Sequence, residues 1–310
     1  MTTIVTGGSG FLGTSLVKSL KNMGEEVISL SSKDADLCDS TSLQKYSDIK
    51  FEKIYHLAAW TQAGDFCLYH PGEQWIINQQ INTNVLKWWS EEQPQAKLIS
   101  MGTSCAYEEG LDLREEFYLQ GSPIIDLYTY AMTKRMLYVG QQSLAKQFGL
   151  KFLTVVPSTL YGPNYDVGGK QMHFIFDLAW KILSSKYFNE EVVLWGDGNQ
   201  RREIVFIDDF INDLFSLEKV VENDIVNIGA NEDYSIKEFA ETLCSLIGVD
   251  HSKIKYDKSK YVGSKVKRLS TNKEKVLLGK LERIDLKEGL NKMLSWLEPK
   301  FLDYKSKNNN

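Results

Sequence analysis

The chain has 310 residues, 43% hydrophobic and 25% charged, which is long and apolar enough for a substantial core. Its formal net charge of −5 argues against nucleic acid or an anionic membrane as the main partner. Four cysteines (Cys38, Cys67, Cys105, Cys244) without CxxC spacing and only four histidines disfavour a disulfide framework or structural zinc, so no metal is expected.

The first residues are a β-rich run rather than a basic, cleavable leader. No apolar stretch approaches the ~20 residues of a membrane helix, so a cytoplasmic protein is expected. After the strand Thr2 to Thr6, residues 11–23 place Phe11, Leu12, Leu16, Val17 and Leu20 at helical spacing, and Gly24 marks the stop. Strands are predicted at 27–30 and 53–59 (KIYHLAA), a long helix at 74–92 and a strand at 97–101. A second long helix at 128–149 leads to the strand 151–156, and Pro157 follows. Beyond Pro157 the rhythm loosens into helices near 171–186, 209–219 and 235–246, with short strands at 192–195 and 225–228. Regular β-α alternation with continuous apolar strands implies an α/β fold, a doubly wound parallel Rossmann sheet with a smaller C-terminal α/β lobe.

The opening TIVTGGSGFLG puts Gly7, Gly10 and Gly13 between a strand and a helix. Glycine lets the backbone turn tightly against a pyrophosphate, and the helix start at Phe11 and Leu12 supplies free N–H groups and a positive dipole end. A ligand-free glycine turn is the poorer reading at the first strand of a βαβ chain. Residues 1–157 are therefore expected to bind a dinucleotide, 158–305 mainly to hold substrate, and 306–310 to form a frayed tail. The second strand ends at Leu30 and is followed by Ser31, Ser32 and Lys33, where hydroxyls and a cation suit a 2′-phosphate. NADP (NADPH) is thus expected over NAD. Asp34 lies close enough to reverse this, because an NAD site places a carboxylate on the ribose hydroxyls.

Tyr130-Ala-Met-Thr-Lys134 lies in the predicted helix 128–149, and the spacing of four puts Tyr130 and Lys134 on one face. A nearby ammonium favours phenolate, so the tyrosine is expected to titrate below its usual ~10 and to exchange a proton with a carbonyl or alcohol. The strand 97–101 ends in Gly102-Thr103-Ser104-Cys105, where Thr103 or Ser104 could bond the same substrate oxygen.

TGGSGFLG, HLAA, the hydroxyl before YAMTK, and PSTLYGP, in this order, resemble the extended short-chain dehydrogenase/reductases that modify nucleotide sugars. The resemblance implies a catalytic trio of Thr103, Tyr130 and Lys134, with Lys134 also holding the nicotinamide ribose. It further implies Asp36 and Leu37 beside the adenine, Ala58 and Ala59 along the dinucleotide groove, and Pro157 among the cofactor contacts. Dehydratases of this superfamily carry Asp-Glu after the threonine, where this chain has Ser104 and Cys105.

GTSCAY instead resembles the GDP-L-fucose synthase family, the GDP-4-keto-6-deoxymannose epimerase/reductases. TLYGP, His173 and WGDGNQRRE are further matches. By that resemblance Cys105 and His173 exchange protons at C3 and C5. The C4 ketone acidifies those C–H bonds, and thiol and imidazole titrate near enough to neutrality to act. Arg202, with Arg201 as its neighbouring alternative, matches a phosphate-contacting arginine. Arg268 matches a basic position near the nucleotide, and Thr159 and Trp195 fall in substrate segments.

Two segments depart from that family. Trp60-Thr61-Gln62-Ala63-Gly64 replaces its V-G-G loop, and Thr159 replaces an asparagine. These changes leave open another sugar, such as a deoxyheptose, or loss of one epimerisation step, with Trp60 a candidate for stacking on the sugar. The expected function is NADP-dependent C3/C5 epimerisation of a GDP-linked 4-keto-6-deoxy sugar followed by hydride transfer to C4. The alternatives are a C4 ketoreductase acting on a related GDP-sugar or GDP-heptose, and a redox-neutral NDP-sugar 4-epimerase with bound NAD. A dinucleotide-binding regulator without catalysis would have no need of the trio. The long helices 74–92 and 128–149 resemble those that form a homodimer interface in the family.

Overall fold

The computed structural model describes residues 2–63, 66–167, 171–260 and 264–308, so Gly64 of the departing loop lies outside the described residues. The first half alternates as β1 (Thr2–Thr6), α1 (Phe11–Asn22), β2 (Glu26–Leu30), β3 (Lys53–His56), α2 (Phe66–Tyr69) and α3 (Pro71–Glu92). It continues through β4 (Lys97–Met101), α4 (Tyr128–Phe148), β5 (Phe152–Pro157), β6 (Thr159–Tyr161) and α5 (Phe174–Phe188). Next come β7 (Val192–Trp195), β8 (Arg201–Arg202), β9 (Ile204–Phe206), α6 (Ile207–Val220), β10 (Asp224–Ile228) and β11 (Tyr234–Ser235). The chain closes with α7 (Ile236–Ile247), β12 (Ile254–Asp257), β13 (Val266–Lys267), α8 (Asn272–Leu278) and α9 (Leu286–Asn308).

Six strands form one parallel sheet in the order β10-β5-β4-β3-β1-β2. Its side chains alternate between two apolar layers. Ile4, Ile54, Leu98 and Phe152 pack with Val85 and Trp89 of α3. Val5, Tyr55, Ile99 and Leu153 pack with Leu16 and Leu20 of α1 and Phe210 and Leu214 of α6. A strand buried on both faces needs apolar residues throughout, which explains the continuous runs in the sequence. The chain winds from β1 out to β2 and then returns past β1 to β3, so a crevice opens at the carboxyl ends of β1 and β3.

A second core joins Phe176 and Ile182 of α5, Phe239 and Leu243 of α7, and Leu290, Leu294 and Leu297 of α9. Phe11 couples it to the sheet, its ring edge-on to Tyr165 at 5.3 Å and Phe176 at 5.9 Å. Among the described residues no helix is long and apolar enough to cross a membrane.

Two expectations are corrected. The strand predicted at 225–228 lies in the large sheet, where β10 pairs with β5 from Asp224↔Leu153 to Ile228↔Pro157. Its Ile225, Val226 and Ile228 are apolar enough to be buried at that edge. Residues 306–308 are not a frayed tail but the last turn of α9, which buries Phe301 and pairs Lys305 with Glu190 at 2.8 Å.

Candidate active site

The glycine turn sits at the crevice. Gly7 has φ +69°, and a Cβ there would meet Ala58 N at 2.7 Å. A Cβ on Gly13 would lie 2.2 Å from Gly7 O, so only glycine lets α1 pack against the turn. Gly10 N donates to Gly7 O at 3.1 Å, and Gly8 N to Leu30 O at 2.9 Å, tying the turn to β2. Gly10 begins α1 with no side-chain cap, so the N–H groups of Phe11, Leu12 and Gly13 remain available to an anion. This cradle fits a dinucleotide pyrophosphate.

At the end of β2, Asp34 folds back. Its Oδ2 accepts Ser31 N at 2.8 Å and Ser31 Oγ at 2.6 Å, and these bonds hold its carboxyl below the usual carboxylate range. Ser31 Oγ also accepts Lys33 N at 3.2 Å. Asp36 Oδ1 caps Cys38 N at 3.0 Å, while Leu37 is buried and its carbonyl accepts Asn84 Nδ2 at 2.8 Å. Ala58 N donates to Thr6 Oγ1 at 3.3 Å beside the turn, and the neighbouring Ala59 is partly buried.

A buried polar chain, unforeseen in the sequence, connects the sheet to the helix that carries the YxxxK pair. His56 Nδ1 meets Thr6 Oγ1 at 2.8 Å, and His56 Nε2 meets Asn82 Oδ1 at 3.1 Å. Asn82 Nδ2 donates to the carbonyl of Thr133 at 3.3 Å, between Tyr130 and Lys134. Burial, helped by Lys134, pushes His56 down to about 4, so the ring is neutral and can donate from one nitrogen while accepting at the other.

Thr103 begins the turn Ser104–Ala106, its Oγ1 accepting Cys105 N at 3.3 Å, and its side chain acts on the Tyr130 hydroxyl to favour ionisation. The tyrosine titrates opposite to expectation. Burial, with Cys105 nearby, pushes the Tyr130 hydroxyl up, and the Thr103 side chain offsets this only in part. The Lys134 ammonium is not among the groups that shift the tyrosine, and Lys134 is itself buried and pushed down to about 8 by desolvation. Tyr130 is therefore a protonated acid at neutral pH rather than a phenolate.

One residue not singled out in the sequence acts on both Cys105 and His173. Lys267 Nζ lies 3.1 Å from Cys105 Sγ, and the same ammonium, after burial, depresses His173 below its ordinary value. His173 is the N-cap of α5, and its N–H donates to Tyr165 OH at 3.1 Å. Lys267 adjoins the Arg268 that drew attention in the sequence, and a lysine in a basic run offers no local signal.

The remaining candidates divide. Ser104, Ser158, Thr159, Arg202, Glu203, Lys267 and Leu269 line one small cavity, so Arg202 and Thr159 join the site. Arg202 Nη1 donates to the carbonyls of Arg201 and Ser264, each at 2.8 Å. Arg268 instead pairs with Asp233 at 3.1 Å, a carboxylate that Arg201 also grips. Trp195 is exposed at the end of β7, and among the described residues no bond or ring contact joins it to Thr103 or Cys105. Trp60 packs on Phe66 at 4.7 Å and edge-on to His70 at 5.9 Å, and Asn78 holds its backbone. Pro157 ends β5 beside Ile228.

Known proteins share this architecture. The chain is 27% identical over 307 residues to GDP-L-colitose synthase of Yersinia pseudotuberculosis, covering 94% of this chain and 96% of that one. A GDP-L-fucose synthetase from Naegleria fowleri, solved bound to NADP, superposes with TM-score 0.85 at 22% identity, over 99% of this chain and 95% of that one. The GDP-6-OMe-4-keto-L-xylo-heptose reductase of C. jejuni gives 0.87 at 21% identity, over 96% and 98%. The model of the NAD dependent epimerase/dehydratase family matches residues 3–229, which span the glycine turn, the trio and the whole parallel sheet. The chain belongs to this family of enzymes.

Proposed function

We propose that this enzyme is an NADP-dependent epimerase/reductase of the GDP-L-fucose synthase type, acting on a GDP-linked 4-keto-6-deoxy sugar. The observation that carries this reading is that two chemistries lie side by side. Thr103 and Tyr130 would supply hydroxyls for an oxygen at C4, and Cys105, 3.1 Å from Lys267, and His173, within that lysine's electrostatic reach, would supply a separate acid/base group. An epimerisation needs both groups, because the ketone oxygen must be held while a C–H proton leaves one face and another arrives from the opposite face.

One member of the Cys105–His173 pair takes the proton from C3 or C5. The C–H electron pair moves into the C4 carbonyl, and the Thr103 and Tyr130 hydroxyls stabilise the resulting enolate oxygen. The other member returns a proton to carbon. For the reduction, Tyr130 gives its proton to the C4 oxygen, a role suited to its raised pKa. A bound nicotinamide dinucleotide supplies the hydride. Gly7, Gly10 and the start of α1 would hold its pyrophosphate, Lys134 its ribose, and Ser31 and Lys33 a 2′-phosphate. The NADP bound to the Naegleria neighbour supports that choice. Residues 158–305, apart from β10, would hold the GDP-sugar, with Arg202 on its phosphates. A homodimer through α3 and α4 is consistent with the exposure of Trp75, Ile76 and Met136 on those helices.

The test is turnover of GDP-4-keto-6-deoxymannose with NADPH in D₂O, followed by NMR. Deuterium should enter C3 or C5 before NADPH is consumed. Cys105→Ser should suppress that exchange while reduction at C4 persists. Reduction without deuterium would leave a C4 ketoreductase. Tightly held NAD with no net consumption of reductant would leave a redox-neutral 4-epimerase.

A further inference from the structure

Lys267 is built into place rather than dangling from a surface. It lies on β13, which runs parallel to β8 with Lys267 opposite Arg202. Its carbonyl accepts Glu203 N at 3.2 Å, and two residues on, Leu269 N donates to Glu203 Oε2 at 3.0 Å. Glu203 is buried and also takes Asn231 N at 2.9 Å, and on the other side of the lysine Arg201 N donates to Lys265 O at 2.8 Å, so the strand is anchored before and after it. The side chain then reaches across 162 residues of sequence to the Cys105 sulfur.

We propose that Lys267 is a positioning residue for the proton exchange. Its ammonium holds the Cys105 sulfur in place and stabilises the negative charge that the sulfur carries whenever its proton is on the substrate or elsewhere. This rests on the epimerase reading above. A sulfur anion is poorly stabilised in a closed cleft unless a cation faces it. At 3.1 Å a lysine supplies both the charge and a directed N–H. The same charge opposes protonation of His173, which is pushed below its usual value. One ammonium thus faces the sulfur at 3.1 Å and acts on the imidazole of the other member of the pair.

The experiment is alkylation of the full-length enzyme by iodoacetamide at fixed neutral pH, with each cysteine peptide followed by mass spectrometry. Lys267→Met should slow labelling of Cys105 about tenfold or more, the effect expected from removing one facing charge. Lys267→Arg should retain most of the parental rate, and labelling of Cys38 should be unchanged in both. Thermal melting checks that each variant is folded, and Lys267→Gln replaces the methionine variant if that one is not. Parental or faster labelling of Cys105 in the folded variant overturns the proposal. Because this readout needs no sugar, it is separable from the deuterium test. A missing C3/C5 exchange removes the epimerase reading, whereas unchanged alkylation removes only the role of Lys267.

Discussion

Asp34 and Ser31 close on each other at the end of β2, one carboxylate oxygen taking both the backbone N–H and the hydroxyl of the serine. A 2′-phosphate seeking those donors must displace an anion that stays charged at neutral pH. Asp34→Asn should therefore tighten NADPH several-fold relative to NADH. Lys33→Glu should erase or reverse any preference for NADPH. Fluorescence titration decides both, and an unchanged NADPH/NADH ratio in Asp34→Asn would show that the latch does not face the ribose.

Tyr130→Phe should lower turnover ~10²–10⁴-fold, the usual cost of losing a general acid. Dinucleotide affinity should stay near parental, because the pyrophosphate cradle is built from the backbone at Gly7–Gly13. A phenylalanine variant that oxidises NADPH at more than about a tenth of the parental rate would remove Tyr130 from the proton path.

Lys134 is a buried ammonium whose folded value lies near 8, against 10.5 for an ordinary lysine. Below pH 8 both folded and unfolded chains are protonated there, so the cost of burying the charge is fully present. Stability rises between about pH 8 and 10.5, as the folded form sheds its proton before the unfolded form does. Lys134→Met should consequently be more stable at pH 7, by about 1–3 kcal/mol, while losing activity. Denaturant titration should find that gain shrinking as the pH rises towards 10. A methionine variant less stable than the parent would mean that the lysine is stabilised by its surroundings.

His56 has the same sign at lower pH. Its folded value of about 4 lies below the usual 6.5, so the unfolded chain takes up a proton first as the pH falls. The fold should lose up to about 2–3 kcal/mol between pH 6.5 and 4, and His56→Gln should flatten that slope. Equal slopes in urea titrations of the two proteins would count against a neutral, buried His56. Asn82→Ala, which frees the carbonyl of Thr133, should cost ~1–3 kcal/mol and reduce turnover, because α4 carries both Tyr130 and Lys134.

Much of this enzyme could be read along the chain. The alternation of β1 through β5, the helix stop at Gly24 and the tight turn at Gly7 are local matters. Backbone conformation and apolar periodicity express themselves within a few residues of one another. The spacing that puts Tyr130 and Lys134 one turn apart is likewise a property of the helix itself.

Tertiary structure decided what depends on through-space neighbours. Spacing placed Lys134 near Tyr130 but could not tell how deeply both groups are enclosed, and enclosure reversed the expected titration of the tyrosine. β10 has the composition of a short buried strand wherever it lies, and only its pairing with β5 made it part of the large sheet. Arg268 and Lys267 are adjacent cations on one segment. The fold turned the first onto Asp233, 35 residues back along the chain, and the second onto Cys105, 162 residues back, because desolvation and Coulomb forces act between groups that folding brings together.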